Sequence, residues 1–186
     1  MIDKRTLIRL AVLGAMLASS GPASAGTASF GIPGGGGMVG DGGATVSTGG
    51  VFLPATGLPQ AVFTFVLPRD YVKNTSITIV AYFHSIGTNC TFVLEPALVV
   101  HRRPGVEVDG TTSVLAPKNG SPVVNATAAP SIPGQKPFLL SPGGTIPTIK
   151  RGDQFLIGLA RVASDIEDTC TGIVVLEAVE VRYTTP

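Results

Sequence analysis

From Ser76 to His84 the side chains alternate, with Ile77, Ile79, Ala81 and Phe83 on one face and Thr78, Val80 and Tyr82 on the other. A period of two is the period of a strand, because successive Cβ atoms leave opposite sides of a pleated backbone. The same reading predicts strands over Ala61–Leu67, which Pro68 stops, and over Thr91–Val100, Phe155–Val162 and Ile173–Tyr183. The last two are rich in β-branched residues. Val106–Leu115 is a weaker candidate. Glu95-Pro96 interrupts the Thr91 run and predicts an edge position or a bulge there, since proline cannot donate to a ladder.

Punctuation supports this. The chain holds 15 Pro and 24 Gly in 186 residues, and seven of the prolines fall between Pro117 and Pro147, where long loops or short edge strands are expected. No segment after the first 25 residues shows a sustained helical period with caps. Many short strands separated by turn signals predict an all-β fold, a sandwich or barrel.

The first 25 residues have another purpose. A basic start (Lys4, Arg5, Arg9) runs into the apolar stretch Leu10–Ala18, and a small-residue segment ends in Ala23-Ser-Ala25. That order is a signal peptide, with cleavage expected between Ala25 and Gly26. The apolar stretch is shorter than the about 20 residues needed to cross a bilayer, and no later segment is long enough either. Cleavage leaves about 160 residues, a length that suits one domain. The expected location is exported, periplasmic or extracellular.

The leader carries Lys4, Arg5 and Arg9 against Asp3, and the whole chain is +1, so the remainder is close to neutral. A neutral chain without clustered Lys and Arg has no electrostatic footprint for nucleic acid, and no polybasic patch for a membrane surface. Within residues 31–50 half of the positions are glycine. Such a stretch loses much backbone entropy on folding and offers few side chains to bury. Residues 26–54 are therefore expected to be a flexible Gly-rich arm, ahead of a β-sandwich domain over 55–186. The alternative is an arm that adds a strand to a partner, through Val46, Val51, Phe52 and Leu53.

Two cysteines remain, Cys90 and Cys170. An even count in an exported chain predicts a disulfide, with free thiols as the other reading. The closed loop of roughly 80 residues would stabilise by about 4 kcal/mol. Asp165, Glu167 and Asp168 sit in a polar segment between two apolar strands. They could bind calcium through carboxylate oxygens. Their spacing lacks the Asp-x-Asp-x-Asp-Gly order, and a turn whose Asp side chains hold their own backbone is the competing reading. No other cofactor is indicated.

The segment Arg151-Gly-Asp-Gln-Phe-Leu-Ile-Gly-Leu-Ala-Arg161 leads through Asp168-Thr-Cys-Thr-Gly172 to a last strand ending at Tyr183. Residues 152–183 resemble the closing hairpin of jelly-roll modules in bacteriophage virion and tail-associated proteins, and in related bacterial proteins of unknown role. That pattern has a Gly-Asp start, a strand ending in Arg, an Asp-Thr-x-x-Gly loop and a last strand ending in Tyr. The resemblance implies a jelly-roll-like β-sandwich and a non-catalytic role in assembly or at a surface.

The chemistry-bearing residues are sparse. There are two histidines, His84 and His101, with no His-x-His or Cys-x-x-Cys spacing,. Ser85 beside His84, with Asp70 or Asp109, could be arranged as a hydrolase only by convergence in space. The absence of Trp and the presence of only three Tyr count against an aromatic sugar platform. The expectation is an exported non-enzymatic protein acting through its surface, in structural assembly or macromolecular binding. Its partner would be a protein or a surface glycan, and a homo-oligomer is open. Two alternatives stand beside it. One is a secreted hydrolase or carbohydrate-active protein with a loop-built site near His84, His101 and Asp109. The other is a calcium-dependent adhesive module.

Overall fold

A computed structural model describes residues 25–34, 38–39, 43–47, 49–87, 89–102, 113–114, 124–128, 134–140 and 148–186. Those residues form twelve strands. They are β1 (Gly26–Pro33), β2 (Met38–Val39), β3 (Thr45–Ser47), β4 (Gly50–Leu53), β5 (Gln60–Val66) and β6 (Ile77–Ser85). Then follow β7 (Cys90–Arg102), β8 (Ser113–Val114), β9 (Val124–Ala128), β10 (Gly134–Leu140), β11 (Gln154–Arg161) and β12 (Val174–Thr185). One sheet has the order β10-β6-β12-β4-β3, with β1 also on β12. The other has the order β2-β5-β11-β7-β8, with β9 also on β7. Every ladder is antiparallel.

Take β4, β5, β6, β7, β9, β10, β11 and β12 as strands one to eight. The first sheet then reads one-eight-three-six and the second two-seven-four-five. This is the double Greek key of a jelly roll, so the all-β, jelly-roll-like sandwich expected from the sequence is the fold. Most connections cross between sheets, which collects the loops at two opposite poles.

Alternation decides what lies between the sheets. Ile77, Ile79, Ala81 and Phe83 of β6 face Phe92, Leu94, Phe155, Ile157 and Leu159 of the opposite sheet in one buried cluster. Phe83 meets Phe92 edge-on at 4.7 Å between centroids, and Phe65 stacks on Phe155 at 5.4 Å. Each such side chain contributes about 1.5–3 kcal/mol by leaving water. Val80, on the outer face of β6, is also covered and lies between Pro137 and Glu180 in the ladders. Pro96 marks a bulge, as expected: opposite Gly158 and Leu159 the register skips Ala97. β9 and β10 arise within the proline-rich stretch, and Pro137 lies in the outermost strand of its sheet.

The Gly-rich arm is corrected over its strands. β1 pairs along its whole length with β12, from Gly26 opposite Thr185 to Pro33 opposite Ala178. Ala28, Phe30 and Ile32 pack on the core, and Phe30 stands 5.8 Å from Phe65 and 6.2 Å from Tyr183. Val51 and Leu53 of β4 are fully buried. The high glycine content concealed a period of two, and the 12-residue β12 offers an edge long enough for β4 and β1 end to end. The strand that residue 26 begins is thus added to its own sheet. The expected leader, with Ala23, lies outside the described residues, as does most of Val106–Leu115; Ala25 directly precedes β1.

Candidate functional site: a braced loop pole and a polar sheet face

The β11–β12 connection, residues 162–173, is held from below by Arg161. This last residue of β11 is fully buried. Its Nε and Nη2 donate to the two carboxylate oxygens of Asp168, each at 2.8 Å, with the two side chains 0% and 1% exposed. Nη1 donates to the carbonyls of Leu53 at 3.0 Å and Gly172 at 2.8 Å, and Nη2 also donates to that of Cys170. A rigid fork of five N–H donors suits such a convergence of oxygens.

Cys90, which opens β7, is bonded to Cys170 in this loop, with Cα atoms 4.9 Å apart. The disulfide expected from the cysteine count is present. Beside it Thr169 N–H donates to the Thr91 carbonyl at 2.8 Å, and Thr91 N–H to Thr169 Oγ1 at 3.0 Å. Farther out, Asp165 N–H bonds the Val162 carbonyl and Asp168 N–H the Asp165 carbonyl, each at 3.0 Å. Asp165 Oδ1 accepts from Glu167 N–H at 2.9 Å. Asp165, Glu167 and Asp168 are therefore not brought together as an ion cage. Asp168 turns inward to Arg161 while Asp165 clamps the turn. Among the described residues no three His, Cys, Asp or Glu side chains gather as metal ligands.

Ile166 is 96% exposed at the tip. Ile173, Ile86 in the β6–β7 loop and Leu58 in the β4–β5 loop are exposed at the same pole. Ile86 N–H donates to the Ile173 carbonyl and Arg161 N–H to that of Pro59, each at 2.9 Å, which ties the three loops together.

A second polar array lies on the outer face of the β1-bearing sheet. Tyr82 O–H donates to Glu180 Oε2 at 2.6 Å, and Arg182 Nη2 donates to the same oxygen at 2.8 Å. Arg182 first, then Tyr82 and Ser29, hold the Glu180 carboxyl down to about 2,. The bond to that carboxylate is the main cause raising the Tyr82 phenol above its ordinary range. Nearby, Glu177 is the extra residue of a bulge where the β12 register skips from Leu176 to Ala178. The bulge aims its carboxylate at His84, whose Nδ1 is 2.6 Å from Glu177 Oε1,.

The loop-built site imagined at His84, His101 and Asp109 is not assembled. His84 is the second-last residue of β6, in one sheet, and His101 the second-last of β7, which runs oppositely in the other. Phe83 touches Phe92. Nine residue steps of strand then separate Phe92 from His101, or roughly 30 Å at the rise of an extended chain. Asp109 lies outside the described residues. Asp70 is bonded to Tyr183 O–H at 3.2 Å, at the pole away from His84. Sequence reasoning missed Arg161, Glu177, Glu180 and Arg182. An arginine closing an apolar strand, with Asp seven residues later, was the available signal for the first.

No protein-family model matches the chain, and no curated protein matches it. Among solved structures it is similar to a carbohydrate-binding module, CBM36, in complex with calcium and xylotriose, at 17% identity and TM-score 0.44, covering 82% of this chain and 98% of that one. It is also similar to part of a family GH115 4-O-methyl-α-glucuronidase, at 15% identity and TM-score 0.33, covering 88% of this chain and 19% of that one. A third is the enzymatically active domain of the bacteriophage CBA120 tailspike protein 4, at 6% identity and TM-score 0.31, covering 88% and 19% respectively. At these identities and scores none carries a functional argument.

Proposed function

We propose that the chain is an exported, non-enzymatic jelly-roll protein that acts through its surface, in structural assembly or in binding a macromolecule. The observation that carries this is Ile166, 96% exposed on a turn braced by a disulfide, a buried ion pair and backbone bonds. Ordering a loop is a large part of what association costs, and a loop already ordered spares that cost. A rigid turn presenting an apolar side chain is therefore suited to docking. The Cys90–Cys170 bridge supports export, since such bonds persist in oxidising compartments,.

The test is fractionation from the native host. Wild-type chain should travel with the cell surface or extracellular assembly it serves, and Ile166→Asp, with its disulfide intact, should appear free. Identical fractionation of the two would sink the reading.

One observation favours a second reading, a hydrolase or carbohydrate-active protein. Glu177 bonded to Nδ1 of His84 is how an orienting acid sets a general base, with Nε2 left for the reaction,. Hydrolysis of an ester or glycan that His84→Ala abolishes would favour that reading over surface binding.

A further inference from the structure

The margins of the β1-bearing sheet are unlike. β10 is outermost on one side and carries Lys136 and Pro137 in mid-strand. A lysine and a proline there keep other strands from adding to it. β1, at the other side, is eight residues long, with no charged side chain, an unbroken register on β12, and proline only at its last position. Among the described residues the other outermost strands are short: β2, β3 and β8 have two or three residues, and the five-residue β9 lies against β10.

Exposure along β1 alternates. Thr27, Ser29, Gly31 and Pro33 are exposed, while Ala28, Phe30 and Ile32 are half-buried. Their partners on β12, Tyr183, Val181 and Val179, are buried, so the inner row of β1 is open on the side away from β12. The backbone is turned the same way. The Thr184 carbonyl accepts from the N–H of Val72, in the loop that leads into β6, at 3.0 Å. In an antiparallel ladder the N–H and C=O of one residue point to the same side, so Thr184 does not bond Thr27 opposite it,. Thr27 therefore directs its own N–H and C=O to the outer margin, and by alternation so do Ser29 and Gly31.

We infer that this margin is an interface that takes β1 of a second copy of this chain, antiparallel, about a two-fold axis through Ser29. Ser29 opposite its own copy sets Thr27 opposite Gly31, so the outward groups of all three find partners. Pro33, which has no N–H to give, falls outside the ladder. On the inner face Phe30 then meets Ala28 and Ile32 meets Gly26, large against small, which covers the half-buried row,. No charged side chain on either strand opposes the approach. The contact is isologous and closes as a dimer. It does not involve the Ile166 pole.

Sedimentation velocity on the exported chain, from micromolar to millimolar concentration, tests this. The wild type should pass from monomer to dimer and stop there, and molar salt should not reverse it, since no charge pair is there to be screened. Gly31→Pro removes an outward N–H and no bond to β12, so it should stay monomeric with the near-ultraviolet dichroism of the folded core. Gly31→Ala keeps the N–H and should dimerise as the wild type does. Hydrogen exchange on the wild type reads the same contact without a variant. The Ser29 and Gly31 amides should gain protection with concentration, while the Phe30 amide, turned to β12, is protected throughout. A wild type that stays monomeric, an assembly that salt dissolves, a Gly31→Pro chain that dimerises undiminished, or Ser29 and Gly31 amides indifferent to concentration would overturn the inference. Ile166→Asp should dimerise like the wild type; its failure to do so would move the contact to the pole and equally overturn it. Its place in the host fractions tests the surface-binding reading separately.

Discussion

Arg161 and Asp168 form a two-pronged ion pair that water does not reach, both bonds 2.8 Å long. A buried pair is expensive to make and more expensive to break, because the survivor keeps its desolvation cost without a counter-charge. Asp168→Ala is expected to cost about 3–5 kcal/mol. Replacing both residues by apolar ones removes the stranded charge. It also strips donors from the buried Leu53 and Cys170 carbonyls, at about 1–3 kcal/mol for each one left unsatisfied,. Arg161→Met/Asp168→Leu should therefore remain clearly less stable than wild type in urea unfolding. A double variant as stable as the parent would show that the arginine's hold on the carbonyls adds no net stability.

The disulfide acts on the same loop by another route. Joining residues 80 apart restricts the unfolded chain, which by loop-closure entropy amounts to about 4 kcal/mol,. Cys90→Ser/Cys170→Ser should lower the unfolding midpoint accordingly. Arg161 and the Thr91–Thr169 bonds should still hold the loop in place. Hydrogen exchange at the Thr169 amide, bonded to Thr91, reads this directly. Protection that vanishes at once on removal of the bridge would mean that the bridge alone orders the turn.

How much of this was legible in the sequence depended on the range over which each feature is encoded. β5, β6, β7, β11 and β12 each carry their own alternation or β-branched run, so local pattern exposed them. β1 also alternates, with Ala28, Phe30 and Ile32 inward, but its glycine-rich setting outweighed three apolar residues. The pairing of Cys90 with Cys170 followed from parity alone. Arg161 was opaque because one of its acceptors, Leu53, lies 108 residues away. Glu177 was opaque because its reach to His84 depends on a bulge that no composition announces.

Two glycines at the junction of β1 and β4 make a sharper test of packing. Gly50 has φ of 140°, and a Cβ there would stand 2.4 Å from the Leu176 carbonyl oxygen; one on Gly34 would meet the same oxygen at 2.4 Å. Both chains press against the β12 bulge, where backbone cannot yield as a flexible side chain could. Gly50→Ala and Gly34→Ala should each cost about 2 kcal/mol or more, in the range of other strained backbone sites. Gly31→Ala, in the middle of β1, has nothing within 4 Å of the added carbon and should be tolerated. Equal unfolding midpoints for all three variants would contradict the close approach of β1, β4 and β12.

The three tyrosines give the fold an alkaline limit. Burial, more than any other cause, raises the phenols of Tyr71 and Tyr183, and the bond from Tyr183 to Asp70 adds to it. Donation to Glu180 is the main cause for Tyr82. All three are raised above the ordinary 10.0, so the fold favours their neutral forms. A raised acid contributes stability that is complete below its unfolded value and is lost as pH climbs through the folded ones. Tyrosinate absorbance should accordingly stay low past pH 10.0 and rise for all three residues together as the sandwich opens. Asp70→Asn, by weakening the hold on Tyr183, should bring that residue's ionisation to lower pH. A phenol that ionises at its ordinary pH while the near-ultraviolet dichroism of the folded core persists would contradict the burial of Tyr71 and Tyr183 or the bond of Tyr82.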